Sequence, residues 1–305
     1  MNTYLITIVG PTAIGKTALS IKIAKHFNTE IISCDSRQFY KEMNIGTAVP
    51  SKKELAEIPH HFIQNRSVLD DYNVGQFEKE AIQTLNSLFK KHQVVVMVGG
   101  SGLYVNAVLN GLDYFPKIDP SIREGLKQKL KNEGIGSLQQ QLKKQDVISF
   151  KNIDLDNHQR LIRALEICIG TKKQYSSFIT DKTAKRSFIP ITIGLTADRE
   201  ILYKRINNRV DIMMANGLEK EVTKLVKYNS LNALQTVGYK ELFLYLKNEI
   251  SLDFAIEEIK KNTRRFAKRQ GTWFRKNKNI LWFDFEDDFS EIISSISSQI
   301  NISSE

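Results

Sequence analysis

Cysteine is scarce in this chain, and long apolar runs are missing. Its 305 residues include two cysteines, Cys34 and Cys168, and these do not form the C-x-x-C spacing of a redox or zinc motif. This usage is typical of a reducing compartment, so we expect two buried free thiols in a cytoplasmic protein. No apolar stretch approaches the roughly 20 residues that span a bilayer, so we expect no membrane partner.

A secretory leader and extended disorder are also not indicated. The opening residues MNTYLITIVG lack a basic segment and run directly into a glycine loop, which favours a buried strand over a signal peptide. Charged residues are spread along most of the chain, and no repeat or low-complexity tract occurs, which is typical of a folded protein. Only Ser294 to Glu305 is expected to fray.

The positive charge is concentrated in one stretch. The formal net charge is +10, and Lys260 to Lys278 alone contains nine Lys or Arg and no acidic residue. Its cations and aromatic residues interleave at helical spacing: Arg264, Arg265, Phe266, Lys268, Arg269, Trp273 and Phe274. Cations that bind phosphate beside rings that can stack favour an RNA partner. The alternative is that the aromatic side chains pack in the core beneath a charged face.

The chain alternates between short β-rich runs and longer amphipathic segments. The runs are YLITIVG, EIISCD, VVVMVGG, ITIGLT and ILWFDF. This pattern predicts an α/β fold, a parallel sheet flanked by helices. The alternation lapses within residues 116–186, which predicts an inserted all-helical subdomain or, alternatively, long crossover helices. We therefore expect a discontinuous catalytic core of residues 1–115 and 187–290, an insertion at 116–186, and a C-terminal tail at 291–305.

A phosphate-binding loop follows the first strand. The segment matches G-x-x-x-x-G-K-[ST] between a strand and a helix. Its residues are Gly10, Pro11, Thr12, Ala13, Ile14, Gly15, Lys16 and Thr17. Glycines let the backbone close around phosphate oxygens, Lys16 supplies a positive charge, and Thr17 can hold Mg²⁺. The sequence therefore predicts a P-loop-type core that binds a phosphorylated ligand.

Part of the usual phosphoryl-transfer apparatus is missing. The strand VVVMV ends in Gly99-Gly100-Ser101, where a nucleotide-hydrolysing site usually has an aspartate for Mg²⁺. Asp35 is the remaining strand-end carboxylate near the loop. It could act in catalysis, cap a helix or bind Mg²⁺, and Ser101 could bind a ligand or cap the next helix. Arg205 and Arg209 are spaced to clamp a polyphosphate, although solvated surface arginines are common.

Taken together, the motifs resemble the tRNA dimethylallyltransferase family over nearly the whole chain. The matching segments occur in family order: GPTAIGKTALS, DSRQFYKEMNIGTAVP, PHHFI, GGSGLYVNAVLNGL, RLIRALEI, QTVGYKE and AKRQGTWFR. The resemblance implies transfer of a dimethylallyl group from dimethylallyl diphosphate to N6 of the adenosine just 3′ of a tRNA anticodon. The phosphate loop, Arg205 and Arg209 would then bind the leaving diphosphate together with Mg²⁺, and Lys16 would assist catalysis.

The resemblance also implies roles for individual residues. Asp35 is in the position of the family's general base. Ser101, also implied in catalysis, stands where many relatives carry Thr and keeps the hydroxyl that would bond near the substrate base. The implied tRNA-binding residues are Asp35, Ser36, Arg37, Gln38, Ser101, Arg123, Gln159, Arg160, Leu161, Ile162, Arg163, Gln235, Gly238, Tyr239, Lys240, Lys268, Arg269, Gln270, Trp273 and Arg275. They would bind the anticodon stem-loop with one adenine flipped out of its stack. We expect the protein to be a monomer.

Two other functions fit parts of the pattern. An adenylate dimethylallyltransferase would use free AMP, ADP or ATP as acceptor, but it has little use for the helical insertion or the basic stretch. An RNA-binding P-loop NTPase or small-molecule kinase would consume ATP, and the missing strand-end aspartate counts against it.

Overall fold

The computed structural model describes residues 2–180 and 183–302. The chain divides into two compact units. The first consists of Met1–Asn110 and Lys185–Glu305, and the second is the continuous segment Gly111–Ala184. This division lies within a few residues of the boundaries expected after residues 115 and 186.

A six-stranded sheet, parallel throughout, forms the centre of the first unit. Its strands are β1 (Tyr4–Val9), β2 (Ile31–Ser33), β3 (His60–His61), β4 (Val94–Val98), β5 (Ile189–Thr196) and β6 (Leu281–Asp284). They lie in the order β3-β2-β4-β1-β5-β6. The expected α/β class is confirmed, and each of the apolar runs forms a strand. The edge strand β3 has no counterpart among the expected strands because two residues are too few to show a period.

Helices make up most of the rest of the described chain. They are α1 (Lys16–His26), α2 (Lys52–Glu57), α3 (Val74–Leu88), α4 (Gly102–Asn110), α5 (Pro120–Glu133), α6 (Ile135–Gln145), α7 (Val147–Asn152), α8 (His158–Thr171), α9 (Arg199–Ala215), α10 (Leu218–Leu225), α11 (Tyr239–Leu246), α12 (Leu252–Phe274) and α13 (Phe289–Ile302). Helices α9 to α12 share a core cluster with the loop that follows β2, and this cluster includes Met43, Leu218 and Tyr239.

The central strands bury apolar side chains on both faces. In β1, Leu5 and Val9 belong to one core cluster, which also contains residues of α3 and α4. Tyr4, Ile6 and Ile8 belong to the other, which also contains residues of α1 and α13. Because successive strand residues point to opposite faces, a continuous apolar run is what a strand covered on both sides requires. The polar ligand groups are therefore left to the loops at the strand ends.

The second unit is helical in its described residues, 111–180 and 183–184. Its core consists of residues from α5, α6 and α8, including Leu126, Leu138 and Leu165. Leu161 and Ile162 belong to the same core and are 0% and 4% exposed. This corrects their expected role in tRNA binding, because their side chains are enclosed within the unit and cannot reach an RNA surface.

The C-terminal segment differs from the expected tail at 291–305. Helix α13 runs from Phe289 to Ile302, and the side chains of Ile292 and Ile296 are buried in the core. Ile292 and Ile296 are four residues apart and therefore lie on one helical face. This face packs in the same core cluster as the side chains of β1. The last part of the expected fraying, residues 303–305, lies outside the described residues.

Cys34 and Cys168 are both free and buried, as expected. Burial raises the pKa of each thiol, so neither is a reactive thiolate. Within the described residues, no helix is both long and apolar enough to cross a membrane.

Candidate active site

The phosphate loop turns tightly between β1 and α1. Its glycines have positive φ angles, +143° at Gly10 and +110° at Gly15, which residues with a side chain rarely adopt. A Cβ atom at Gly10 would also lie 2.7 Å from the backbone oxygen of Leu195 in β5. Helix α1 begins at Lys16 directly after the loop, so the positive end of its dipole faces the same place.

The Lys16 ammonium is folded onto this loop. It donates hydrogen bonds to the backbone oxygens of Gly10 and Pro11 at 3.0 and 2.7 Å. Burial lowers the pKa of Lys16 to about 8, while the Asp35 carboxylate raises it and Arg209 lowers it further. A bound anion would offset the cost of burying the charge, so this ammonium suits a phosphate ligand.

Arg205 and Arg209 reach the loop from α9, one helical turn apart. The Arg205 Nε donates to the backbone oxygen of Ala13 at 2.9 Å, and its guanidinium lies 4.7 Å from the centre of the Phe285 ring. Burial lowers the pKa of Arg209, and the Asp35 carboxylate opposes that shift. Both arginines line the cavity beside the loop, which is the arrangement that a diphosphate clamp requires.

The first cavity, beside the phosphate loop, has a volume of about 530 Å³. Its polar wall includes Lys16, Thr17 and Asp35. Its apolar wall includes Ile45, Val49, Ile212 and Met213. A site that combines cations with apolar side chains suits a ligand that has both an anionic part and a hydrocarbon part.

The second cavity, of about 510 Å³, shares part of its wall with the first. The residues lining both are Thr12, Ala13, Asp35, Thr47, Arg209 and Met213. The rest of its wall comes largely from α11, α12 and the segment before α11, including Val237, Lys240, Phe266 and Arg269. The site is therefore a pair of adjoining cavities, with a carboxylate and a guanidinium in the wall that they share at their junction.

Asp35 follows β2 and is half-buried at this junction. Its Oδ1 accepts a hydrogen bond from the backbone N–H of Arg37 at 3.0 Å, which caps a tight turn. Its Oδ2 has no hydrogen-bond partner in the described part of the chain. The capping role and a role in catalysis are therefore compatible, because each uses a different oxygen.

Ser101 connects the ends of β4 and β2. Its Oγ accepts a hydrogen bond from the backbone N–H of Ser36 at 3.0 Å and donates one to the Ser36 Oγ at 3.0 Å. Its backbone oxygen accepts from Tyr104 and Val105 at the start of α4. Ser101 thus begins the helix through its backbone, while its hydroxyl holds the turn next to Asp35.

The IPP transferase family model matches residues 38–277, which include both the second cavity wall on α12 and the α9 arginines. The chain belongs to this family. A tRNA dimethylallyltransferase of Christiangramia forsetii is 59% identical over 301 residues, covering 99% of this chain and 100% of that protein. One of Flavobacterium johnsoniae is 57% identical over 296 residues, covering 95% and 96%. The resemblance seen in the motifs is thereby confirmed.

Solved structures of IPP transferases have the same fold. A full-length tRNA isopentenylpyrophosphate transferase of Bacillus halodurans superposes with a TM-score of 0.72 at 37% identity, covering 98% of this chain and 96% of that one. A eukaryotic dimethylallyltransferase acting on tRNA gives a TM-score of 0.77 at 27% identity, covering 94% of this chain and 75% of that one. The similarity therefore extends over both units.

The side chains of Arg37 and Gln38 form hydrogen bonds within the protein. The family resemblance implies both residues as tRNA contacts. The Arg37 guanidinium donates to the backbone oxygens of residues 232 and 233, both at 2.9 Å. The Gln38 amide nitrogen donates to the backbone oxygens of Thr47 and Ala48 at 3.2 and 3.0 Å. Arg37 lines the second cavity and Gln38 the first, and each also fixes a neighbouring backbone segment through these hydrogen bonds.

The basic stretch of this IPP transferase lies on α12 and at its end. Its exposed cationic and aromatic members are Arg265, Phe266, Lys268, Arg269, Trp273, Arg275, Lys276 and Lys278. The Arg269 guanidinium lies 5.8 Å from the centre of the Phe266 ring, and both residues line the second cavity. Phe274 is instead buried in the core. Both expected arrangements are therefore present, a cationic and aromatic outer face and an apolar inner one.

Gln270 does not belong to that outer face. It is 6% exposed, its Oε1 accepts from the backbone N–H of Thr12 at 2.9 Å, and its Nε2 donates to the backbone oxygen of Gly100 at 2.9 Å. A Cβ atom at Gly100 would lie 2.3 Å from that Nε2. This corrects its expected role in tRNA binding, because Gln270 fastens the phosphate loop to the end of β4.

The segment 235–240 contains both exposed and buried members. Gln235 and Lys240 are exposed and line the second cavity, where RNA contact is possible. Gly238 is buried with φ +94° and begins α11, although it also lines that cavity. Tyr239 is 0% exposed, which corrects its expected contact with tRNA, because no part of its side chain reaches the surface.

Two of the candidate tRNA residues in the second unit contact one buried acid. Arg163 and Arg123 lie 3.1 and 3.8 Å from the Glu166 carboxylate, which is almost wholly enclosed. Gln159 and Arg160 are exposed at the start of α8. These four side chains remain candidates for RNA contact, and Glu166 fixes two of them.

The sequence analysis did not identify two of the residues that line both cavities, Thr47 and Met213. Thr47 lies in the matched segment DSRQFYKEMNIGTAVP, so its membership of a family motif was the available signal. Met213 lies on α9, where an apolar side chain is more typical of a core position than of a site. Only the folded arrangement brings both to Asp35 and Arg209.

Proposed function

We propose that the protein transfers the dimethylallyl group of dimethylallyl diphosphate to N6 of the adenosine just 3′ of the anticodon, in tRNAs that read codons beginning with U. The observation that carries this proposal is the position of Asp35, which lines both of the adjoining cavities. One cavity suits the alkyl diphosphate and the other the RNA base, so the reacting atoms meet at the junction.

The donor occupies the cavity beside the phosphate loop. The diphosphate binds the loop, Lys16, Arg205 and Arg209, which stabilise the charge that develops as the carbon–oxygen bond breaks. Thr17 also lines this cavity, and it would hold Mg²⁺ together with diphosphate oxygens. Hydroxyl oxygen is a donor that suits Mg²⁺, so the Thr17 side chain fits this ion.

The acceptor adenine enters from the second cavity. An adenine N6 amine is a weak nucleophile because its lone pair is delocalised into the ring. N6 forms a bond to C1 of the dimethylallyl group, the C1–O bond breaks, and diphosphate leaves. The N6 proton passes to the Asp35 carboxylate. Its Oδ2 accepts no hydrogen bond within the described residues and is therefore available for this proton. The adenine must leave its stack to reach this depth, as bases do in other base-modifying enzymes.

The exposed cations of α12 bind the tRNA backbone, and Phe266 and Trp273 offer rings for stacking. We also propose a monomeric enzyme that acts in the cytoplasm on the anticodon stem-loop.

The test supplies labelled dimethylallyl diphosphate and Mg²⁺ with either tRNA or free AMP as acceptor, and separately measures ATP hydrolysis. We expect label in tRNA, none in AMP, and no ATP consumption. Equal labelling of AMP would identify an adenylate dimethylallyltransferase. ATP hydrolysis without prenyl transfer would identify an RNA-binding NTPase or kinase.

A further inference from the structure

Glu221, on α10, holds a loop that lines both cavities. Its carboxylate accepts hydrogen bonds from three consecutive backbone N–H groups, those of Asn44, Ile45 and Gly46, at 3.0, 2.8 and 3.0 Å. A fourth donor, the hydroxyl of Tyr239, lies 2.6 Å from the same carboxylate. All four partners donate, so the site requires a group that can only accept.

Tyr239 supports the same loop from below. Its side chain is fully buried, and a Cβ atom at Gly46 would lie 2.6 Å from its ring. Burial and the neighbouring Glu221 raise the pKa of its hydroxyl, which therefore remains a donor. The loop backbone thus rests directly on the ring at a position where only glycine fits.

The segment held in this way, residues 44–48, forms the wall at the junction of the cavities. Asn44, Ile45 and Ala48 line the first cavity, Gly46 lines the second, and Thr47 lines both. On its other side the Gln38 amide binds the backbone oxygens of residues 47 and 48. The segment is therefore fixed from two directions, by an acid from α10 and an amide from the turn after Asp35.

We infer that Glu221 and Tyr239 are positioning residues for the transfer step: they fix residues 44–48 so that donor and acceptor meet in line at the junction. This inference rests on the proposed function. It gives the segment 235–240 a second task besides RNA contact, since Tyr239 links α11 to the junction without touching either substrate. Neither residue contacts the diphosphate site, so their effect is on alignment and not on diphosphate binding.

The variants E221Q and Y239F test this inference. Glutamine keeps the size of Glu221 but presents N–H groups to the backbone donors, and phenylalanine removes only the hydroxyl of Tyr239. Glu219 and Tyr245 provide matched controls, because they form a similar contact of 3.4 Å between the same two helices and line neither cavity. The four variants are E221Q, Y239F and the controls E219Q and Y245F. For each we measure kcat with anticodon stem-loop RNA, the Kd for inorganic diphosphate and the melting temperature.

We expect E221Q to lower kcat by about 10- to 100-fold, as small misalignments of reacting groups do. Y239F should give a smaller loss, and the double variant should lose little more than E221Q because the two residues act on one loop. The Kd for diphosphate should be unchanged in each, and E219Q and Y245F should match the wild type.

A kcat for E221Q and Y239F equal to that of the controls would overturn the inference. So would a fall in kcat matched by an equal loss of diphosphate affinity, which would indicate a general structural role. If E221Q fails to fold, Y239F alone decides, because its ring and packing remain. If the wild type itself forms no prenylated RNA, the proposed function is wrong and this inference falls with it, whereas a wild type that is active beside unchanged variants overturns this inference alone.

Discussion

At the scale of single residues, burial decides which members of a motif meet the substrate. Arg269 and Gln270 are neighbours in AKRQGTWFR, yet Arg269 lines a cavity and Gln270 is an internal link between the phosphate loop and β4. Successive residues of a helix point about 100° apart, so a contiguous motif rarely has one role. The sequence identifies the motif, and the packing of α12 separates its two functions.

The pKa of Lys16 leads to a prediction about pH. Because burial lowers this pKa to about 8, the free enzyme holds the ammonium charged below that pH and loses the charge above it. Affinity for inorganic diphosphate should therefore weaken as the pH rises through about 8. Calorimetric titration between about pH 7 and about pH 9.5 measures this.

The variant K16R is the matched control, because arginine stays charged throughout that range. The fall in affinity should be steeper in the wild type than in K16R, since both share the titration of diphosphate itself. Equal slopes would show that Lys16 does not lose its charge in this range.

At the scale of secondary-structure elements, α12 has two faces with different tasks. The inner face contributes Gln270 and Phe274, which bind the phosphate loop and the core. The outer face contributes Lys268 and Arg269, which are exposed. One helix therefore links the proposed RNA-binding surface to the phosphate loop.

The inner face is tested by Q270A. The substitution leaves the Thr12 N–H and the Gly100 carbonyl without their partner, which should lower the free energy of unfolding by about 1 to 3 kcal/mol. It should also weaken diphosphate binding, because the phosphate loop loses a fixed point. Urea denaturation and calorimetry measure the two effects.

The control for Q270A is T272A, an exposed residue of the same helix whose hydroxyl contacts only a backbone oxygen of that helix. It should leave diphosphate affinity unchanged. A Q270A protein that binds diphosphate as well as T272A does would contradict the link between α12 and the phosphate loop.

The outer face is tested by the double variant K268A/R269A. Removing two phosphate contacts should weaken tRNA binding and reduce the slope of log K against log salt concentration by about 1 to 2. The control K90A/K91A removes the same charge from exposed lysines that precede the amino end of β4 and line neither cavity. Equal effects of the two pairs would mean that only net charge matters.

At the scale of the whole molecule, sequence periodicity predicts the sheet and the helical insertion but not the fate of the C-terminal end. The strands β1, β4 and β5 consist of nearly continuous apolar runs, which is the pattern of strands buried on both faces of a parallel sheet. Helix α13 is rich in serine, and it forms because Ile292 and Ile296 complete a face of the sheet. That stabilisation comes from tertiary packing, which local sequence does not contain.

The candidate site shows the same division. The phosphate loop and the approximate position of Asp35 follow from motifs, because a loop between strand and helix has a recognisable local pattern. The junction residues Thr47 and Met213 come from separate elements, and only the folded chain brings them together. Predicting them requires the packing of α9 against the loop after β2.

The central claim is that Asp35 accepts the N6 proton where the two cavities meet, and the variant D35N tests it most directly. Asparagine keeps an oxygen to accept from the Arg37 N–H, so the turn survives while the base is lost. Single-turnover transfer of labelled dimethylallyl to anticodon stem-loop RNA should slow by about 10² to 10⁴, with RNA affinity nearly unchanged. Transfer at close to the wild-type rate would contradict the account and leave Asp35 as the cap of a turn.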